Sequence, residues 1–181
     1  MTKNFKLIRK LNWEEVFSFW YQNEGLDKGW QALAKKNGFA SWADWRLKAY
    51  AQPFECSRAK WGLYEVSKAP QTVSGFYGGP FKAWQEHYYA GAKTRTFAEL
   101  VTKKEILTNP KIKDLIKKYP ATSIIIALEL KDGKIFVIEG THRACALAAL
   151  AKNNKSFPKK LIFAIGQSRL RELPNIGYNK R

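Results

Sequence analysis

Glu139, Gly140, Thr141, His142 and Arg143 stand in a row where the apolar run KIFVIEG meets the Ala-rich run ACALAAL. The chain has two histidines, and one of them sits at this joint beside an arginine. If the second run is a helix starting near Thr141, its first backbone N–H groups have no intrahelical partner. The helix dipole adds partial positive charge at the same place. Gly140 leaves room for a bound group, and Thr141 is suited to cap the helix or offer its hydroxyl. His142 donates one hydrogen bond while neutral and carries full charge when protonated. Arg143 brings a planar fork that matches two phosphate oxygens. Strand, turn and helix N-terminus together predict a phosphate site. Read by itself, Glu139 is a strand-end carboxylate suited to pair with a nearby Lys.

The elements that must position these residues are legible around them. TSIIIALEL and KIFVIEG are two β-rich runs joined by Lys131-Asp132-Gly133-Lys134, a hairpin signal. KKLIFAIG supplies a further strand, and WGLYEV an earlier one ending near Glu65. KAWQEHYYAG, TFAELVTKKEIL and NPKIKDLIKKY read as three helices, the last with Pro110 in its first turn. VSGFYGGPF reads as a loop whose Gly75, Gly78 and Gly79 match no nucleotide fingerprint. His87 reads as a surface residue, while Lys93 and Arg95 are candidates to add charge to the phosphate site. This back part is therefore α+β, a mixed sheet with packed helices.

Residues 12–51 predict helices. Asn12 with Glu15 forms a capping box, Asp27 caps a second helix that Gly38 closes, and Ser41 starts a third that ends before Pro53. Six of the seven tryptophans fall in the first 61 residues, as expected of short helices needing large aromatic anchors. Ala34 and Gly38 have helix-turn-helix spacing, although Asn37 and Asp44 fall where that pattern wants apolar residues. The organisation expected is a Trp-rich helical region over 1–58, an α+β domain over 59–170 and a basic tail over 171–181.

Lys and Arg number 32 against 15 Asp and Glu, a net charge of +17. The excess is +5 before residue 61 and +12 after it, so both parts favour anionic partners, nucleotides or nucleic acid. No apolar run is long enough to span a bilayer, and no signal-peptide pattern follows the basic start, which predicts a soluble, cytoplasmic protein without a membrane partner. Cys56 and Cys145 lie far apart, without metal-ligand spacing, and predict neither a disulfide framework nor a metal site.

EGTHRACALAAL resembles the Gly-x-His-Arg or Gly-x-Arg-Arg signature and Ala-rich helix of the ParB/sulfiredoxin superfamily. The order strand, helices, hairpin, signature helix, strand resembles it too, over roughly residues 60–166, leaving the N-terminal helices as an appendage. The resemblance implies that Gly140, Thr141, His142 and Arg143 face the phosphates of a nucleoside triphosphate or diphosphate, with Mg²⁺ as companion. It implies an enzyme such as a nucleotide-dependent phosphotransferase or NTP hydrolase, with Glu65 and Glu139 as the candidate carboxylate bases and Glu139 placed to orient Arg143 or approach a metal ion. The alternative is a ParB-like DNA- or RNA-binding protein, or nuclease, using the basic surface. Sulfiredoxins carry Cys immediately before the His-Arg pair, where this chain has Thr141, so sulfinic acid chemistry is not expected. Only about fifteen residues follow LIFAIG, so the DNA-binding domain that ParB carries there is not expected either.

Overall fold

The computed structural model describes residues 4–120, 122–155, 157 and 160–176. Six strands form one mixed sheet: β1 Phe5–Leu11, β2 Lys60–Val66, β3 Tyr77–Gly78, β4 Ile125–Glu129, β5 Ile135–Glu139 and β6 Leu161–Gln167. Their spatial order is β1-β2-β6-β4-β5-β3. β4 and β5 form the antiparallel hairpin, with Gly133 at φ +81° in the turn. β6 returns parallel to β4, and β3 lies parallel to β5. None of the described helices is long and apolar enough to cross a membrane.

Side chains alternate across this sheet, so each face has its own core. Ile125, Ala127, Val137, Phe163 and Ile165 face one way. They are covered by α4 (Ala69–Ser74), α6 (Phe97–Leu100), α7 (Lys104–Thr108), α8 (Pro110–Lys117) and α9 (Thr141–Lys152). Ile126, Leu128, Phe136, Ile138 and Ala164 face the other way. Their cover is α1 (Trp13–Trp20), α2 (Lys28–Lys36) and α3 (Trp42–Arg46), with Trp20, Trp42 and Trp45 buried among them. α5 (Lys82–His87) follows β3 along the chain.

The caps predicted for the first three helices form. Asn12 and Glu15 exchange hydrogen bonds, Asp27 accepts from Gly29 and Trp30, and Ser41 accepts from Asp44. α1 and α3 each run on into a π-helical turn, Tyr21–Gly25 and Leu47–Ala51.

Three findings depart from the sequence expectations. FKLIRKL is a strand, β1, paired antiparallel with β2. Its alternation is masked because it is an exposed edge and its register shifts between Leu7 and Arg9. Residues 1–58 are therefore no appendage in packing terms, since they supply an edge strand and one whole helical layer. Second, a helix, α4, with Pro70 in its first turn, runs into Val73 and Ser74, the start of the segment read as loop. The amides of Gly78 and Gly79 are taken by Arg95 and Val137 carbonyls, so they offer nothing to a ligand. Third, TFAELVTKKEIL is two short helices, α6 and α7. Thr96 and Glu99 form a capping box at the first. Of the predicted tail, residues 177–181 lie outside the described residues, while Leu173 and Ile176 are buried in the core.

Removing residues 1–58 would bare Trp61, Ile126, Leu128, Phe136, Ile138 and Ala164 to water, at roughly 1.5–3 kcal/mol for each large side chain. A fragment spanning 59–181 is predicted to show no cooperative thermal transition. A sharp, native-like melt from that fragment would contradict the shared core.

Candidate ligand-binding site

Strand β5 ends at Glu139, and the chain reverses through Gly140 at φ +96° before α9 begins at Thr141. A Cβ on Gly140 would lie 3.0 Å from Arg143 Nη2 and 3.1 Å from Ile125 Cγ1, so both conformation and space demand glycine. Gly140 itself holds the N-cap position, and no side chain caps α9 among the described residues. Thr141 is the buried first residue of the helix and not its cap. Behind it Ala144 to Ala149 are all buried, packed against α4, α6 and α8, which fixes where the N-terminus points.

Arg143 does not present a free fork. Its Nη2 contacts both oxygens of Glu139 at 2.5 Å, and its Nη1 donates to the Ile124 carbonyl. Asn23, from the π-helical turn after α1, donates to Glu139 Oε2 at 2.8 Å and to the Ile124 carbonyl at 3.0 Å. Glu139 thus orients Arg143, one of the roles expected of it. Burial pushes the Glu139 carboxyl up, Arg143 pulls against that rise, and nearby Glu24 adds to it.

The α9 N-terminus opens onto a cavity of about 660 Å³ between the two helical layers. Glu139, Gly140, Thr141, His142 and Arg143 all line it. Lys82 and Trp84 of α5, and Lys111 of α8, line the same cavity. The His142 ring stands edge-on to Trp84 with centroids 5.2 Å apart. Burial, and then repulsion by Lys111 and Arg143, bring its pKa down to about 4. His142 is therefore neutral at pH 7, with one donor and one acceptor.

The opposite wall comes from the N-terminal layer. Arg46 is 4% exposed and donates through Nε and Nη2 to Glu24 Oε2. Its guanidinium lies against the Trp45, Tyr50, Trp30 and Trp20 rings at 4.1, 4.6, 4.9 and 5.8 Å from their centroids. Such cation–π contacts are worth roughly 2 kcal/mol when desolvated. The tryptophans are thus core anchors, and they also hold a cation.

Other expected residues lie elsewhere. Glu65 pairs with Lys160 at 3.1 Å and does not line the cavity. The register Leu63, Ala164, Ile126, Glu139 places Leu63 three strands, about 14 Å, from Glu139, and Glu65 lies two residues further along β2, roughly 16 Å away at the usual spacings. Glu65 and Glu139 do not share a site. His87 is exposed, Lys93 pairs with Glu172 and Arg95 with Glu99. The Cys145 thiol is buried and pushed up, so it is no nucleophile. Among the described residues no three His, Cys, Asp or Glu side chains converge on a metal position.

Asn23, Glu24, Arg46, Lys82 and Lys111 were not singled out in the sequence. One signal was there: Trp42, Trp45, Arg46 and Ala49 follow helical spacing, and a charge inside an apolar stripe demands a buried counter-charge. Comparison with family models, with curated proteins and with solved structures returned no match.

Two outcomes test this geometry. Arg143→Ala should lower stability by about 3–5 kcal/mol in denaturant titrations, because Glu139 is left buried without its cation. A loss below 1 kcal/mol would contradict the pair. For His142, the unfolded imidazole titrates near 6.5 and the folded one near 4. The unfolded chain therefore binds more protons between those values, and stability falls as pH drops through that window, by roughly 3 kcal/mol at its fullest. His142→Gln should flatten that part of the stability–pH curve, and an unchanged curve would contradict the assignment.

Proposed function

We propose that this protein binds a nucleotide, or a closely related phosphate ester, with its phosphates at the N-terminus of α9. The observation that carries the reading is that this N-terminus, which no side chain caps among the described residues, opens into a cavity of ligand size that Lys82, Lys111 and His142 also line. The unpaired N–H groups of the first turn and the helix dipole favour an anion there. The two lysines add mobile charge, and neutral His142 adds one directed hydrogen bond. The resemblance of EGTHR to the ParB/sulfiredoxin signature supports the same ligand class. Arg143 serves by fixing the turn through Glu139, not by gripping phosphate. With Glu139 held by Arg143 and Glu24 Oε2 by Arg46, no carboxylate cage stands among the described residues, and Mg²⁺ would arrive on the phosphate oxygens. Phosphotransfer or NTP hydrolysis is the reaction class such a site would serve.

A second reading, nucleic-acid binding, is favoured by one observation. Lys104, Lys111, Lys113, Lys117 and Lys118 are all exposed on the α7–α8 segment, which adds to a net charge of +17. The two readings differ in salt dependence and in the residue that matters.

A thermal-shift panel of ATP, ADP, CTP and GTP, with and without Mg²⁺, separates them. At a hundredfold excess over Kd, one nucleotide should add about 2.7 kcal/mol of apparent stability. Lys111→Ala, an exposed substitution that should leave the unliganded melt unchanged, should weaken that binding about tenfold. No shift with any nucleotide, together with DNA or RNA binding that falls steeply with salt, would favour the second reading.

A further inference from the structure

The cavity continues well past the α9 N-terminus, and its far end differs in chemistry. Trp30, Tyr50, Phe81 and Leu33 line that end, and Leu33 is exposed although apolar. Two polar groups interrupt this wall. Glu24 receives its hydrogen bonds from Arg46 Nε and Nη2 and Trp42 Nε1 on Oε2 alone, which leaves Oε1 without a partner among the described residues. Asn37 Nδ2 is buried and likewise makes no hydrogen bond among them. A buried polar atom left unpaired costs about 1–3 kcal/mol. Asn37 carries that cost, while Glu24 Oε1 offers a ligand N–H an acceptor on an aromatic-walled cavity.

We propose that this half of the cavity is a subsite for a planar nitrogen heterocycle that bears an N–H group, a nucleobase. The ring lies against the aromatic wall, and the N–H donates to Glu24 Oε1. Stacking on aromatic side chains is worth roughly 1–3 kcal/mol per base. A neutral ring also avoids the desolvation that a second anion would suffer beside Glu24. The placement rests on the phosphate reading for the orientation of a whole nucleotide, but the ring subsite stands on Glu24, Trp30, Leu33 and Tyr50 of the N-terminal layer, with Phe81 beside them. That layer is the part of the chain that lies outside the ParB/sulfiredoxin resemblance.

The test uses the full chain and isothermal titration with inorganic pyrophosphate, adenosine, guanosine, cytidine, purine riboside and ATP. Leu33→Trp fills the subsite from an exposed position and should not disturb the core, while Lys111→Ala strips charge from the phosphate end. At least one amino-bearing nucleoside should bind alone, tenfold or more tightly than purine riboside, which lacks the N–H donor. Leu33→Trp should weaken that nucleoside and ATP tenfold or more and leave pyrophosphate unchanged. Lys111→Ala should do the reverse for pyrophosphate and leave the nucleoside unchanged. Nucleoside binding without pyrophosphate binding would uphold the subsite and overturn the phosphate reading. Pyrophosphate and ATP binding equally, with no nucleoside bound, would overturn the subsite and leave the phosphate reading standing. Affinities for nucleoside and ATP that stay within twofold in Leu33→Trp, or purine riboside equal to the amino-bearing nucleosides, would also overturn it.

Discussion

A guanidinium withdrawn from water needs both a counter-charge and surfaces to lie on, and the N-terminal layer is arranged around meeting that need for Arg46. Glu24 supplies the counter-charge from the π-helical turn after α1, and Trp20, Trp30, Trp45 and Tyr50 supply the faces. Because these residues come from α1, α2, α3 and the turns that extend α1 and α3, the ion pair locks short helices that could not hold their positions by propensity alone. Removing either charge would strand the other in a low-dielectric interior. The same cluster forms the wall of the cavity, so the feature that builds the layer also shapes the site.

A second buried pair, Glu139–Arg143, does the equivalent work on the sheet side. Asn23 joins the two halves, since it follows the first helix yet donates to Glu139 and to the Ile124 carbonyl. The N-terminal layer, the end of β5 and the start of α9 are thereby tied at one point. A ligand at α9 would meet a preorganised turn whose amides need no rearrangement. In the site we propose, the arginine of the motif would act on the backbone that holds the anion, while Lys82 and Lys111 would meet the anion itself.

Much of this was legible in the residues. The β4–β5 hairpin, β6, α9 and the first three helices follow from local signals: Asp132-Gly133, alternating apolar runs, and caps at Asn12, Asp27 and Ser41. What local signals could not show was tertiary. β1 is an exposed edge whose register shift hides its alternation, so FKLIRKL carries no strand pattern. The expectation that the helices stand apart from the sheet failed because tryptophans reveal a core without revealing what it packs against. At the site, EGTHR located the joint, yet the role given to Arg143 belonged to a fork without a partner, and Glu139 four residues earlier was that partner. Lys82, Lys111 and Glu24 sit in unremarkable local contexts, and only the fold brings them to one cavity.

The most direct test of a ligand held between the α9 N-terminus and the N-terminal aromatic layer is a backbone and indole ¹H–¹⁵N titration with the best-bound nucleotide. The account predicts that the largest shifts fall on the amides of Thr141, His142 and Arg143 and on the Trp30 indole N–H. Shifts spread instead over the lysines of α7 and α8, with those four signals still, would contradict it.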